Sequence, residues 1–219
     1  MNQYIPVAAK ITDIVKHTDI EWTFRVNCKT SGVLPGKFYE ISIPKFGESP
    51  ISVSGYDNDY IDFTIRNVGK VTGELFKYNI GDNFFIRGPY GNGFDTDLEG
   101  MKVLAIGGGV GMAPIAAFTE EALKNKAQVD VVCAAQTISE LLFNNRLKDA
   151  GANVYTCTDD GSCGFKGFAT HRVLELIAVK EYDWAVVCGP EVMMKPIHGT
   201  LDVNGIDGEY SLERYMKCA

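Results

Sequence analysis

The chain lacks the features that direct a protein to nucleic acid, into a membrane or out of the cell. It contains no long run of Lys and Arg, and its formal net charge is −7 with a pI near 5.0, which argues against a nucleic-acid-binding surface. No apolar stretch approaches the ~18 residues that a membrane-spanning helix needs. The first residues show no basic segment followed by an apolar one, as a signal peptide would. We therefore predict no nucleic-acid partner, no membrane span and a cytoplasmic location.

The residue patterns of side-chain catalysis and metal binding are also missing. The three histidines show no ligand spacing, and no Ser/His/Asp set or pair of carboxylates stands out. The six cysteines are widely scattered, which favours free thiols, and three lie in apolar or strand-like runs typical of core residues. We predict no catalytic side chain and expect the chemistry to be that of a cofactor.

The hydrophobic pattern of the first part of the chain is that of short strands. The segments KFYEISIP, DYIDFTIRNV and DNFFIRG are aromatic or β-branched and are bounded by Gly, Pro, Asn or Asp. A single helical segment, at about residues 72–78, interrupts them. Residues 1–97 are therefore predicted to form an antiparallel, Greek-key-like β-barrel domain.

From residue 98 the pattern changes to an alternation of strands and helices. Apolar strands (VLAIGG, QVDVVCAA, NVYTCTDD and WAVVCGP) alternate with helical segments at 113–125, 139–150 and 171–178. This order predicts that residues 98–210 form a doubly wound α/β domain with a parallel sheet. Ligands of such sheets lie beyond the carboxyl ends of the strands, so the residues that follow each strand are the candidates for binding.

Three turns follow predicted strands of the second part. The segment GGGVGMAP (107–114) leads from a strand into a helix, where glycines allow a phosphate to approach the backbone and the helix N-terminus. Met112 occupies the place of the third glycine of a G-x-G-x-x-G motif, and a tight connection without a ligand is the alternative. The segments TDDGS (158–162) and CGPEVMM (188–194) are ordinary turns when taken singly, but all three would line one crevice.

Two segments of the first part are candidates for binding a ring system and an anion. Short hydroxyl side chains in SPISVS (49–54) can hydrogen-bond a ring edge, although an ordinary polar strand is equally consistent with them. Arg66 precedes a glycine-containing turn into a helix, which suits a diphosphate, whereas a solvated surface arginine is the competing interpretation. The segment GPYG (88–91) is either a plain turn or a site where Tyr90 stacks on a ligand.

In this order, the segments GPYGNGF, GGGVGMAP, TDDGS and CGPEVMM make nearly the whole chain similar to the ferredoxin-reductase-like flavoproteins. Within that family the chain resembles the B subunits of anaerobic sulfite reductases most, and the electron-transfer subunits of dihydroorotate dehydrogenases next. The resemblance implies an FAD-binding barrel, an NAD(P)H-binding α/β domain and an enzyme that passes electrons to the catalytic subunit of a multi-subunit reductase. A diaphorase stays open as an alternative. So does a non-catalytic assembly subunit with a decayed flavin site, because Ser49 and Ile51 replace an arginine and a tyrosine of many relatives.

The resemblance also assigns residues to the two cofactors. For the flavin, it places Pro50, Ile51, Ser52 and Val53 at the isoalloxazine ring. It places Arg66, Val68 and Gly69 at the ribityl chain and the diphosphate, and Thr72 at the start of the helix that follows. At the nicotinamide cofactor, it places Gly109, Gly111, Thr158, Asp160, Gly189 and Pro190. The segment AAQT (134–137) contains no arginine for a 2′-phosphate, so NADH is favoured over NADPH.

The end of the chain resembles the start of a cysteine-rich tail. In the resembled subunits, a segment like residues 211–219 leads into a [2Fe–2S] site, for which Cys218 would be a ligand in an intact chain. Such a cluster needs four ligands. We therefore expect a truncated tail, and no cluster in this chain.

Overall fold

The computed structural model describes residues 3–29 and 31–212, which fall into two compact units. The first unit ends at Gly93 and the second spans Phe94–Leu212. The sequence places the boundary four residues later, after residue 97. The side chains of Phe94 and Leu98 are buried in the core of the second unit, which explains why this segment belongs to it.

The first unit is a closed six-stranded barrel with one short helix. Its strands pair in the order β1-β2-β5-β4-β3-β6, and every pair is antiparallel. The predicted barrel is confirmed. Its elements are β1 (Val7–Lys16), β2 (Glu21–Asn27), β3 (Phe38–Ile43), β4 (Gly47–Asp57), β5 (Tyr60–Arg66), α1 (Lys70–Leu75) and β6 (Asn83–Tyr90).

Alternation of side chains along the strands builds the barrel core. On β5, Ile61, Phe63 and Ile65 are buried in the core together with Phe24 of β2 and Phe84 of β6. Because successive residues of a strand point to opposite faces, the residues between them lie on the outer face. The outer face thus carries the polar groups that are available for binding.

The second unit is a six-stranded parallel sheet with helices on both faces. The strand order is β10-β9-β8-β7-β11-β12, and all pairs are parallel, which confirms the predicted doubly wound sheet. Its elements are β7 (Lys102–Gly108), α2 (Met112–Lys124), β8 (Gln128–Ala135), α3 (Asn144–Asp149), β9 (Asn153–Thr158), β10 (Phe165–Lys166), α4 (Ala169–Ile177), β11 (Trp184–Cys188), α5 (Glu191–Val203) and β12 (Gly208–Ser211).

Two hydrophobic cores lie on opposite faces of this sheet. On β7, Val103 and Ala105 point into the core that contains α2 and α3, whereas Leu104 and Ile106 point into the core that contains α4 and α5. A strand that is covered on both faces reads as a continuous apolar run, which is why VLAI was recognisable in the sequence.

One predicted helix is shorter than expected. A helix was predicted over residues 139–150, but the structure has a 3₁₀ turn at Ile138–Glu140 and a helix only from Asn144. Phe143 adopts a left-handed φ of 64°, which an L-residue does not adopt inside a helix. The side chains of Leu142 and Phe143 are buried in the core, so packing holds the chain in this bend.

Three cysteines, Cys133, Cys157 and Cys188, are buried in the hydrophobic cores, as expected for small core residues. Burial raises the pKa of Cys133 to about 12 and that of Cys157 to about 11, so both remain neutral thiols. Within the described ranges, no helix is long and apolar enough to cross a lipid bilayer.

Candidate functional site

The carboxyl ends of β7 and β11 lie where the strand order of the sheet reverses. After β7 the chain adds β8 on one side, whereas the later β11 pairs with β7 on the other side, with Cys188 opposite Gly107. The helices that follow these strands, α2 and α5, pack into cores on opposite faces of the sheet. Such a reversal leaves a crevice between the two connections, and this crevice is where doubly wound sheets bind ligands.

The two connections at this crevice approach each other backbone to backbone. A Cβ atom on Gly111 would lie 2.7 Å from both the carbonyl oxygen of Cys188 and the Cα of Gly189. Gly109 adopts a φ of +55°, which glycine adopts without strain. On the other side, a Cβ on Gly108 would lie 3.4 Å from Cδ of Pro190. The structure thus brings together, at one edge of the sheet, the three glycines and the proline of the predicted nicotinamide site.

Met112 fills the place of the missing third glycine without entering the crevice. Its side chain is buried in the core, and its sulfur occupies the space that a Cβ on Gly107 would need. The departure from G-x-G-x-x-G is therefore accommodated by the core. In the turn that precedes it, Gly109 and Val110 are half-buried and Gly111 is buried.

Both helices that flank the crevice begin at this edge of the sheet. α2 starts at Met112, directly after a 3₁₀ turn at Gly109–Gly111, and α5 starts at Glu191 after Pro190. Helix N-termini carry unpaired N–H groups and a partial positive charge, which favours anions. The edge therefore suits the phosphates of a dinucleotide.

Thr158, predicted to contact the nicotinamide, has a structural role in the loop after β9. Its hydroxyl group is fully buried, donates to the carbonyl of Cys163 at 3.0 Å and accepts from the amide of Cys163 at 3.0 Å. These two bonds close the loop on itself. The side chain shapes the edge of the crevice by fixing the course of this loop.

Asp160 lies at the exposed tip of the same loop. Its carboxylate accepts hydrogen bonds from the hydroxyl of Ser162 at 2.6 Å and from the amide of Ser162 at 2.9 Å, and these bonds lower the pKa of Asp160. The hydroxyl of Ser162 also accepts from the amide of Ile138, in the loop after β8, at 2.8 Å. A fixed negative charge therefore lies where the loops after β8 and β9 are joined.

The β4 residues predicted at the flavin divide between the two sides of the barrel wall. Val53 is fully buried in the barrel core, and Ile51 packs partly against that core. The Val53 side chain is thus occupied by packing. It cannot line a ring bound outside the barrel, and only its backbone is available there.

Pro50 and Ser52 lie on the outer side of β4. They pair with Glu40 and Phe38 of β3, and cross-strand partners project to the same face of a sheet. Both are half-buried. The outer face of β3 and β4 therefore presents a small surface made of Phe38, Glu40, Pro50 and Ser52, which we call the β3–β4 face.

Charged side chains border the β3–β4 face. Arg87 of β6 donates to both carboxylate oxygens of Glu48, at 3.2–3.3 Å from Nε and 2.7 Å from a terminal nitrogen, and to the hydroxyl of Tyr90 at 3.0 Å. Arg87 lowers the pKa of Glu48, so the pair is ionic. Glu40 is 1% exposed, and neither of its carboxyl oxygens has a hydrogen-bond partner in the described part of the chain.

Arg66 and the turn after it form a second polar cluster of the barrel. The guanidinium of Arg66 contacts the fully buried carboxylate of Glu21 at 2.8–2.9 Å, and its side chain is 34% exposed. The amides of Val68 and Gly69 donate to the hydroxyl of Thr72 at 3.1 and 3.0 Å. Thr72 therefore holds the turn at the start of α1, while Arg66 keeps part of its guanidinium in solvent.

Comparison with known proteins decides the family. Residues 105–199 match the family described as "Oxidoreductase NAD-binding domain". A probable dihydroorotate dehydrogenase B (NAD(+)) electron transfer subunit of Methanothermobacter thermautotrophicus is 44% identical over 98% of this chain and 80% of its own length. The corresponding protein of Methanocaldococcus jannaschii is 36% identical over 97% and 80%. The chain belongs to the ferredoxin-reductase-like family of NAD-binding oxidoreductases.

A solved member of this ferredoxin-reductase-like family has the same fold over nearly the whole chain. The structure of an NADH-dependent reduced ferredoxin–NADP oxidoreductase, studied for flavin-based electron bifurcation, superimposes with a TM-score of 0.84 at 26% identity. The match covers 95% of this chain and 77% of that one. Both the barrel and the α/β unit are therefore family features.

Sequence reasoning did not identify Glu40, Glu48 and Arg87. Glu40 lies inside the predicted strand KFYEISIP, between residues of the barrel core, and Arg87 lies in DNFFIRG. An acidic residue within an apolar strand was the available signal. It could not reveal that β4 and β6 would place a second carboxylate and a cation beside it.

The predicted metal ligand, Cys218, lies outside the described residues, as does most of the segment 211–219. Among residues 3–29 and 31–212, no group of three or more His, Cys, Asp or Glu side chains is arranged to hold a metal ion.

Proposed function

We propose that this chain is the FAD-binding, NADH-linked electron-transfer subunit of a dihydroorotate dehydrogenase. The observation that carries the assignment is the 44% identity to a probable subunit of this kind over 98% of the chain. The sequence segments favoured a sulfite reductase partner and ranked this role second. The identities over nearly the full length support the second role better than the first.

The crevice at β7 and β11 is the proposed NADH site. Gly109, Gly111, Gly189 and Pro190 give it a wall with few side chains, and the N-termini of α2 and α5 favour the pyrophosphate.

The available arginine in this region supports the same coenzyme choice. Arg146 of α3 donates to both carboxylate oxygens of Glu120 at 2.7 and 2.8 Å, which ties its guanidinium to α2 rather than to the end of β8. Together with the absence of Arg and Lys from residues 134–137, this favours NADH over NADPH.

The outer surface of the barrel is the proposed FAD site, and its residues fit that cofactor. The β3–β4 face offers apolar surface from Phe38 and Pro50 next to the buried carboxyl group of Glu40, which no donor of the described residues reaches. A flavin has both an apolar ring and donor groups. The partly exposed guanidinium of Arg66 suits a diphosphate. Bound flavin would supply the exchange of a hydride with nicotinamide and of electrons with a partner protein.

The chain's own residues would bind and orient the two cofactors. No side chain needs to act as an acid or base, because positioning in a near-attack geometry supplies much of the rate of such a transfer. With a dihydroorotate dehydrogenase as partner, electrons would flow from the partner towards NAD⁺, which is the reverse of the flow expected for a reductase. A catalytic subunit is then an obligatory partner, and a cytoplasmic location stays a prediction from the sequence.

The first test is spectroscopic. The purified chain is incubated with FAD, freed of excess cofactor and titrated without oxygen with NADH and, separately, with NADPH. We expect oxidised-flavin bands that bleach with NADH at concentrations at least about tenfold lower than with NADPH. A chain that stays colourless after incubation would contradict the proposal and would favour the non-catalytic assembly subunit.

The second test addresses the partner. The flavin-loaded chain is mixed in parallel with the catalytic subunit of a dihydroorotate dehydrogenase and with the catalytic subunits of an anaerobic sulfite reductase. Dihydroorotate-dependent reduction of NAD⁺ that requires this chain is the expected result. Sulfite-dependent oxidation of NADH in the other mixture, with no activity in the first, would restore the sulfite reductase assignment.

A further inference from the structure

Glu40 is buried in the barrel wall, and no hydrogen-bond donor from the described part of the chain reaches its carboxyl group. Its side chain is 1% exposed, and among the described residues no donor reaches either Oε1 or Oε2. A buried polar group without a partner destabilises a protein, and native structures contain few of them. A carboxyl group has up to four acceptor sites, so this residue combines a large desolvation penalty with no compensation.

The neighbouring cation does not provide that compensation. Arg87 of β6 lies close enough to lower the pKa of Glu40, but its hydrogen bonds go to Glu48 of β4 and to Tyr90 of β6. The carboxylate of Glu48 acts in the opposite direction on Glu40. Two carboxyl groups thus share one guanidinium, and Glu48 holds it.

The position of Glu40 relates this unpaired group to the proposed flavin site. Its chain neighbours Tyr39 and Ile41 are buried in the barrel core, so Glu40 projects to the outer side. It pairs with Pro50 across β3 and β4, and its neighbour on the same face, Phe38, pairs with Ser52. Glu40 therefore belongs to the same face as the two β4 residues assigned to the isoalloxazine.

We propose that Glu40 is a positioning residue for the flavin, and that its carboxylate accepts a hydrogen bond from an N–H or O–H group of the bound cofactor. This inference rests on the proposed function. A flavin nucleotide carries both kinds of donor, an imide N–H on the ring and hydroxyl groups on the ribityl chain. Flavin binding then gives the buried carboxylate a hydrogen-bond donor, which the described residues do not supply.

The proposal makes flavin binding depend on pH. Burial raises the pKa of Glu40, and although Arg87 opposes that shift and Glu48 reinforces it, the net direction is upward. In the free protein, burial therefore disfavours the carboxylate relative to a solvated glutamate, whereas a donor on the ligand favours the carboxylate. Binding releases a proton from Glu40, and the affinity for flavin should rise as the pH rises through its titration.

The experiment compares Glu40→Gln with Asp59→Asn, which removes an exposed carboxylate from the β4–β5 turn of the same barrel. The dissociation constant of FAD is measured by flavin fluorescence between pH 5 and pH 8. We expect Glu40→Gln to weaken binding by roughly ten- to a hundredfold at neutral pH, the effect of losing a hydrogen bond to a charged group. It should also flatten the pH dependence, while Asp59→Asn should match the wild type in both respects.

A second variant and a folding control complete the test. Glu40→Asp keeps the charge but shortens the side chain, so it should weaken binding and retain the pH dependence. Thermal unfolding of the flavin-free proteins should show Glu40→Gln at least as stable as the wild type, because the amide removes a desolvated ionisable group. An unchanged dissociation constant in both Glu40 variants would overturn this inference alone. Failure of the wild type and Asp59→Asn to bind FAD would overturn the proposed function, and this inference with it.

Discussion

Replacing Gly111 by alanine should push apart the two turns that form the proposed NADH site. The added Cβ would lie 2.7 Å from the carbonyl oxygen of Cys188 and from the Cα of Gly189. Both contacts are backbone atoms, which cannot rotate away as a flexible side chain would. Ordinary van der Waals contact requires the turns to separate by roughly 0.7 Å. Overpacking of this size typically costs about 1–3 kcal/mol.

The loss should appear mainly in nucleotide binding. Since 1.4 kcal/mol is a factor of ten in affinity, we expect Gly111→Ala to weaken NADH binding by about tenfold or more. The FAD affinity of the barrel should not change. Isothermal titration calorimetry with NADH measures the first quantity, and urea unfolding followed by circular dichroism measures the stability of the protein.

Gly199→Ala is the matched control. Gly199 lies inside α5, and a Cβ there would meet nothing within 4 Å. Alanine should stabilise this helix by about 0.5–1 kcal/mol and leave NADH binding unchanged. If Gly111→Ala bound NADH as tightly as Gly199→Ala at equal stability, the close approach of the two turns would have no role in forming the site.

Three further predictions concern stability. Thr158→Val should lower the free energy of unfolding by about 1–2 kcal/mol and weaken NADH binding, because it removes both hydrogen bonds that close the loop. Thr119→Val should be neutral or stabilising, since that buried hydroxyl has no partner among the described residues, and urea unfolding distinguishes the two variants. Arg66→Ala should destabilise the barrel by about 3 kcal/mol, because it leaves the buried Glu21 carboxylate without its cation. Adding Glu21→Leu to this variant should restore stability but not FAD affinity. A restored FAD affinity would count against a role of Arg66 at the diphosphate. Asp130→Asn should destabilise the α/β unit near pH 7, and this loss should shrink as the solution becomes more acidic. Burial acts to raise the pKa of Asp130, but bonds from Lys180, Tyr182 and Asn153 hold that pKa below its usual value, so the contribution of the carboxylate is present above pH ~4 and is lost as the pH falls through the lowered pKa. A loss of stability that does not change with pH would contradict this prediction.

The elements that were predicted well are those whose own residues carry their signal. The strand VLAI before Gly107 is apolar throughout because both faces of the sheet are covered, and the glycines after it mark the turn. The helix from Met112 begins where Pro114 falls in its first turn. Both signals are local, so they can be read before any tertiary contact is known.

The bend at Phe143 was not predictable, because its cause is not local. The residues 139–150 have a helical composition, yet Leu142 and Phe143 turn into the core and Phe143 takes a left-handed conformation. Tertiary packing overrides helix propensity here, since propensity differences amount to less than ~1 kcal/mol per residue and buried aromatic side chains contribute more.

That the glycine-containing turns meet at one edge of the sheet was predicted, whereas the hydrogen-bond partners of individual residues were not. Gly109, Gly111, Gly189 and Pro190 meet at one edge, as the parallel order of the strands requires. The hydroxyl of Thr158 turned out to close its own loop. A sequence shows that a hydroxyl group follows a strand, but it does not show which partner the group takes.

By itself, the sequence determined the two kinds of architecture, their order along the chain, and the glycine-containing turns of the proposed nucleotide site, because period, composition and glycine placement are properties of consecutive residues. Only the tertiary structure decided which of those residues face outward, as with Pro50 against Val53, and which charges meet. Glu40, Glu48 and Arg87 lie on three strands that are adjacent only in the folded barrel. Whether the Glu40 carboxyl group would be paired or left without a donor depended on that barrel register, which no local pattern contains.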